Sequence, residues 1–249
     1  IQAWLPAKFD TLPELLEAGG YHAGYTGKGW GPGVPEPTGK RSDPAGKQWN
    51  RARLKTPPPG LSNIDYAANF AQFLDARPAG TPFYFWAGLI EPHHPHDPDG
   101  HAKTGVGLEA LKLPGFIPDT PGVRRARGNY LSEVRHADET LGKLLALLEA
   151  RGEFADTLVV VTADNGTPVP RAKANVYDWG VHVPLAVMWP ARAPAGRTVS
   201  DFTGFPDLAP TLLEAAGLPV PAGMSGRSVL KTLLGAAEGR VDPARDFTV

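Results

Sequence analysis

Nine consecutive residues, Pro82–Ile90 (PFYFWAGLI), carry no charged side chain and no amide or carboxyl group. A strand with one wet face alternates polar and apolar residues. A continuous apolar and aromatic run fits instead a strand covered on both faces, inside a sheet with other layers above and below. The run is far too short to cross a membrane. Thr157–Ala163 (TLVVVTA) and Val183–Trp189 have the same character, and each ends at a turn or a proline.

Segments between these runs read as helices. Thr11–Ala18 has a capping Thr11, Pro13 in the first turn and Gly19-Gly20 beyond its end. Ser62-Asn63-Ile64-Asp65 resembles a capping box and opens a helix to about Arg77, with Ile64, Ala67, Ala71 and Leu74 at helical spacing. Asn129–Arg151 places Leu131, Val134, Asp138, Leu141, Leu145 and Leu148 along one stripe, with Asp138 its polar member, and Gly152 ends it. A last helix covers about Pro206–Ala216. A short strand is expected at Tyr21–Thr26, followed by a long Pro/Gly-rich surface excursion to Leu61. Helix and buried strand alternate, which predicts an α/β fold with a mostly parallel central sheet and helices on both faces.

Composition sets the outer limits. With 25 Lys+Arg against 26 Asp+Glu the chain carries a formal charge of −1, which excludes a strongly basic nucleic-acid binder. Hydrophobic residues at 42% supply a core. The 29 Gly and 27 Pro exclude a helical bundle and require long, shaped loops. There is no Cys, so disulfides, thiolate metal sites and cysteine nucleophiles are excluded within this stretch. No low-complexity segment, repeat or membrane span is present.

In parallel sheets ligands gather beyond the carboxyl ends of the strands. Lys28, His93 and the pair Asp164-Asn165 each fall just past such an end. Asp164-Asn165-Gly166 offers an anionic and a neutral oxygen of the kind hard cations want, and is equally an ordinary turn sequence. Lys28 lies in the glycine-rich GKGWGPG, where an ammonium can approach an anion as a point charge; a solvated loop lysine reads the same way. Trp30 beside it serves either as core or as a stacking surface. In Glu91-Pro-His-His-Pro-His-Asp97 the prolines favour an extended segment, with His93 and His94 on different sides. That speaks against a histidine zinc cluster and for His93 as an anion contact or general acid. Lys173, a few residues after the Asp-Asn turn, is either a second anion contact or a surface charge.

Taken in order, GYHAGYTGKGWGPG, PFYFWAGLIEPH, YLSEVRHADETLGKLLALLEARG, TLVVVTADNG, PRAKANVYDWGVHVPLAVMWP and FPDLAPTLLEAAGLPVPAGMSGRSVL resemble the sulfatase family, and within it the heparan N-sulfatase-like branch. The resemblance implies an alkaline phosphatase-like fold and hydrolysis of a sulfate ester or sulfamate on a sulfated sugar or small sulfate. Asp164 and Asn165 match the family's downstream calcium ligands. Lys28, His93 and Lys173 match its sulfate contacts, His93 also serving the leaving group, and Trp30 stands where many members have a second histidine. Residues 1–249 correspond to a partial catalytic domain. The family's nucleophile is a formylglycine made in a Cys-or-Ser-x-Pro-x-Arg motif, near an upstream Asp pair. Here the Ser-x-Pro match, Ser42-Asp43-Pro44, has Gly46 in place of Arg and reads as loop. The implied nucleophile is therefore upstream of Ile1, and the sequence is expected to be a fragment at both ends. The resemblance further implies a periplasmic or secreted protein. A phosphoester or phosphonate hydrolase of the same superfamily and a non-catalytic anion-binding relative remain open.

Overall fold

The computed structural model describes residues 5–30, 39 and 43–248, in two units, Ile1–Leu147 and Leu148–Val249. In the first, β1 (His22–Gly27), β2 (Lys47–Gln48) and β3 (Phe83–Gly88) form a parallel sheet in the order β2-β1-β3. β1 and β3 run in register from His22 opposite Phe83 to Gly27 opposite Gly88. The expected strands at Tyr21–Thr26 and Pro82–Ile90 are thus present, each trimmed at its ends.

Both faces of this sheet carry a helix. α1 (Leu12–Ala18) starts at Thr11, whose N–H is accepted by the Glu14 carboxylate at 2.7 Å, while the Thr11 hydroxyl donates to the Pro44 carbonyl at 2.7 Å. Pro13, at the start of that helix, lines a shallow cleft with Tyr84 and Trp86 of β3. On the opposite face, α2 (Tyr66–Ala76) sets Phe73 4.6 Å from both Phe85 and His22, ring centre to ring centre, and Phe70 4.7 Å from Phe85. Alternate β3 residues therefore meet different helices, as a period of two requires.

Three expectations need correction here. α2 begins at Tyr66: Asp65 is the cap, accepting from the Ala68 N–H, while Ser62 Oγ accepts from the Ile64 N–H in a separate turn. Its buried side is Tyr66, Asn69, Phe70, Phe73 and Leu74, because the aromatics outweigh the alanines in burial. Trp86 is 46% exposed, so β3 is not covered along its whole length. Finally, the Pro/Gly-rich excursion returns to the sheet as β2. Its Asn50 accepts from the Gly27 N–H at 2.7 Å and the Thr26 hydroxyl at 2.9 Å.

α3 (Gly100–Thr104) and α4 (Pro121–Ala150) complete the first unit, the last turn of α4 belonging to the second. α4 starts eight residues before the expected Asn129. Its buried side is also rotated from the leucine stripe: Asn129, Ser132, Glu133, Thr140, Leu144 and Leu148 are buried, whereas Val134 and Asp138 are exposed. Asp138 is a surface residue.

In the second unit β4 (Val159–Thr162) pairs with β5 (Leu185–Met188), and the pairing is antiparallel. α5 (Asp178–Val181) lies between them in sequence. A single 3-10 turn (Phe205–Asp207) runs into α6 (Leu208–Ala215), and α7 (Leu230–Leu234), which no sequence pattern announced, follows. Leu213 is fully buried. Arg245, 4% exposed, binds Asp207 at 3.0 Å and the carbonyls of Arg227 and Ser228, tying the tail to the start of α6. Arg197 donates to the carbonyls of Thr232, Leu233 and Ala237, satisfying the end of α7, which has no further helical partners.

Candidate active site

At the C-terminal edge of the parallel sheet the chain leaves β1 through Gly27 and enters Lys28. The Lys28 N–H donates to the Gly88 carbonyl at 2.7 Å, and the Lys28 carbonyl accepts from Trp86 Nε1 at 2.9 Å. This clamp needs glycine on both strands. A Cβ on Gly88 would stand 2.0 Å from the Lys28 oxygen, and one on Gly27, at φ +78°, 2.0 Å from the Gly88 oxygen. Asn50 then fixes Gly27 from the other side, donating to its carbonyl as well as accepting from its N–H. The Lys28 side chain is exposed and makes no ion pair among the described residues. The backbone at 28 is held by two hydrogen bonds, and among the described residues its ammonium is left uncommitted. Trp30, 37% exposed, lines the shallow cleft with Gly29, Pro44 and Trp86.

β3 ends at that same edge, and five residues later comes His93, exposed, with Nδ1 2.8 Å from the His94 carbonyl. A ring nitrogen facing a carbonyl must carry the proton, so Nε2 is the nitrogen left to act on a ligand. The expected extended conformation is corrected: the segment turns, the bonds Glu91-Pro92 and His94-Pro95 are cis, and the His94 and His96 rings stack at 3.9 Å. His96 packs edge-on to Tyr130, and burial lowers its pKa. His94 is a surface residue and His96 a loop-packing one. Glu91 anchors the start of this loop, accepting from the Ser62 N–H at 2.7 Å and the Tyr66 hydroxyl at 2.8 Å.

In the second unit Asp164 and Asn165 form a bend two residues beyond β4. Asp164 is exposed and Asn165 half-buried, and neither side chain has a hydrogen-bond partner among the described residues. Gly166 donates to the Gly180 carbonyl at 3.0 Å and the Lys173 N–H to the Thr167 carbonyl at 3.1 Å. The Asp-Asn bend and the Lys173 loop are therefore one hydrogen-bonded assembly. Two non-glycine residues flank Lys173 in the left-handed region, Arg171 at φ 62° and Ala174 at φ 63°. Such conformations cost about 1–3 kcal/mol each and persist where surrounding bonds dictate them. Lys173 itself is half-buried.

A family model for sulfatases matches residues 4–218, most of the chain. The chain belongs to the sulfatase family. It is 29% identical over 196 residues to human N-sulphoglucosamine sulphohydrolase, covering 66% of this chain and 38% of that protein. It is also 28% identical over 178 residues to an ulvan-active sulfatase of Formosa agariphila, covering 68% and 30%. This sulfatase-family chain thus spans well under half the length of those relatives. Among solved structures, one determined in complex with its substrate D-glucosamine-2-N,6-O-disulfate matches with a TM-score of 0.72 at 16% identity, over 97% of this chain and 67% of that one. The phosphonate monoester hydrolase of Agrobacterium radiobacter matches at 0.65 with 20% identity, over 96% and 64%. At these identities the structural likeness establishes the fold, which is the alkaline phosphatase-like one expected.

The donor chemistry at Asp164 and Asn165 fits a hard cation, since their side-chain oxygens make no other bond among the described residues. Two residues are fewer than the six to eight oxygen ligands calcium takes. No group of three or more acidic or histidine side chains suited to a metal occurs among the described residues.

Of the Ser42-Asp43-Pro44 segment, Ser42 lies outside the described residues, as do Gly31-Pro32-Gly33. Asp43 accepts from the Tyr25 hydroxyl, and Pro44 receives the Thr11 hydroxyl, so that turn docks α1 onto β1. Its role is structural, in line with the reading as loop. Sequence reasoning passed over Asn50, Glu91 and Trp86. Glu91 carried a signal, a carboxylate directly after a buried strand. Asn50, set in a Pro/Lys/Arg-rich stretch, carried none.

Proposed function

We propose that the intact protein hydrolyses a sulfate ester or sulfamate on a sulfated sugar. Lys28 carries this reading: an ammonium uncommitted among the described residues, on a clamped backbone at the carboxyl edge of a parallel sheet, in a chain of the sulfatase family. Sulfate spreads its charge over several oxygens, and fixed cations stabilise that charge as it shifts in the transition state. In this reading Lys28 and Lys173 bind sulfate oxygens. His93, its Nδ1 held by the His94 carbonyl, donates a proton from Nε2 to the departing oxygen or nitrogen. Trp30 lies against the sugar. Asp164 and Asn165 would hold calcium, which supplies Lewis-acid neutralisation of sulfate charge. A formylglycine from the part of the protein not contained in this chain would supply the nucleophile. Sugar sulfate as substrate is supported by the human relative's name and by the ligand of the structural neighbour. The same reading assigns the protein to the periplasm or the exterior; among the described residues no helix is long and apolar enough to cross a membrane.

The test is the intact gene product, with formylglycine verified by mass spectrometry, assayed on N- and O-sulfated glucosamine. Turnover is expected, and Lys28→Ala is expected to lower kcat by about 10²–10³, the usual cost of one electrostatic donor. Turnover unchanged by Lys28→Ala, or none with formylglycine present, would refute the assignment. The likeness to a phosphonate monoester hydrolase favours a second reading, phosphonate or phosphoester hydrolysis. Comparing kcat/KM for a phosphonate ester with that for the sugar sulfates separates the two.

A further inference from the structure

Beneath the His93 loop lies a carboxyl group that the proposed chemistry does not use. Glu133, on α4, is 2% exposed, and both of its oxygens are enclosed without a hydrogen-bond partner. Its neighbours are the two ends of the loop: Glu91, 5% exposed, and Asp97, 8% exposed. The packing is close. A Cβ on Gly60, which has φ +82°, would lie 3.0 Å from Glu133 Oε1, 2.5 Å from the Asp97 nitrogen and 3.1 Å from the His96 carbonyl carbon. An isolated carboxylate in such a place would lack both water and a counter-charge.

Among the described residues, these charges bear on it. Glu91 and Asp97 face Glu133 as like charges, and the Asp97 N–H, near the carboxyl but short of a well-formed hydrogen bond, is the one group that favours its ionised form. Lys103 of α3 lies 2.6 Å from Asp97 and is taken up there. From α2, Tyr66 gives its hydroxyl to Glu91. His96 of the loop is held neutral-leaning by burial and by His93 and His94. The Pro58–Leu61 turn brings the uncharged Gly60 close to Glu133.

We propose that Glu133 is a proton-operated catch for residues 91–97: uncharged, it lets the loop seat; ionised, it repels the carboxylates at both ends and releases the loop that carries His93. Burial, then Glu91, pushes the Glu133 pKa up to about 7, so the catch works near neutrality. This device stands on the geometry of the first unit alone and holds whether or not the chain's proposed chemistry does.

Amide hydrogen exchange at His93, His94, His96 and Asp97 in the intact protein, corrected for intrinsic chemistry and followed across pH, tests it. Protection in the wild type is expected to fall by up to about tenfold per pH unit as Glu133 ionises, then level off. Glu133→Gln, which keeps the shape and removes the charge, is expected to abolish the fall. Glu91→Gln removes one like charge and is expected to move the fall to lower pH. Protection independent of pH in the wild type overturns the proposal, and so does an unchanged fall in Glu133→Gln. Should the Glu133 variant not fold, a fall that stays in place in Glu91→Gln overturns it equally.

Discussion

Asn50 touches no proposed ligand, yet it holds three groups at the end of β1: the Thr26 hydroxyl, the Gly27 N–H and the Gly27 carbonyl. Removing it strands buried polar groups, each costing about 1–3 kcal/mol. Asn50→Ala should therefore lower unfolding free energy by about 2–3 kcal/mol in denaturant titration, and should depress turnover beyond what the stability loss explains. Asp164→Ala should leave stability within about 0.5 kcal/mol, because an exposed side chain without partners is lost. It should weaken calcium binding measured by titration calorimetry. The placement of the candidates was legible, since Lys28, His93 and Asp164-Asn165 each lie within five residues of the end of a strand. What holds them was not. A buried polar contact such as Asn50 to Gly27 joins residues 23 apart and leaves no periodic trace.

Elements were read best where one force dominates. β3 and β4 follow from continuous apolar runs, and α1 from its cap and terminal glycines. α4 was misread in phase because its buried side includes Asn129, Ser132, Glu133 and Thr140, which hydrophobic spacing cannot count. The partner of β4 was also beyond reach: a short apolar strand buried in either orientation has the same composition, and only hydrogen bonding reveals that β4 and β5 run antiparallel. α7, five residues long, has too few turns to show a period, and its end depends on Arg197 from a distant loop. In the same unit Arg245 and Asp207 are an ion pair nearly closed to solvent, with side chains 5% and 14% exposed. Arg245→Met leaves Asp207 and two carbonyls short of a donor. The expected loss is about 3–5 kcal/mol, read as a lower denaturation midpoint.

Acid and base act on the molecule in opposite senses. Glu133 binds its proton more tightly folded than unfolded, with a folded pKa of about 7 against an ordinary 4.5. Its contribution is therefore full below pH 4.5, declines as pH rises towards 7, and stays lost above. His22 and His96 are shifted down by burial, so their folded forms resist protonation and stability falls as pH drops below their ordinary 6.5. Between those limits the two tendencies oppose each other. Thermal denaturation of Glu133→Gln should thus show stability rising with pH up to about 6.5, a rise that Glu133 opposes in the wild type. The clamp at position 28 bears on how such a molecule changes over generations. Because both bonds that hold residue 28, from its N–H to the Gly88 carbonyl and to its carbonyl from the Trp86 indole, engage only its own backbone, the mount is indifferent to the tool it carries. A lineage can exchange the side chain there for one suited to another anion and keep the surrounding architecture, so new reactivity at this corner comes without a tax on folding.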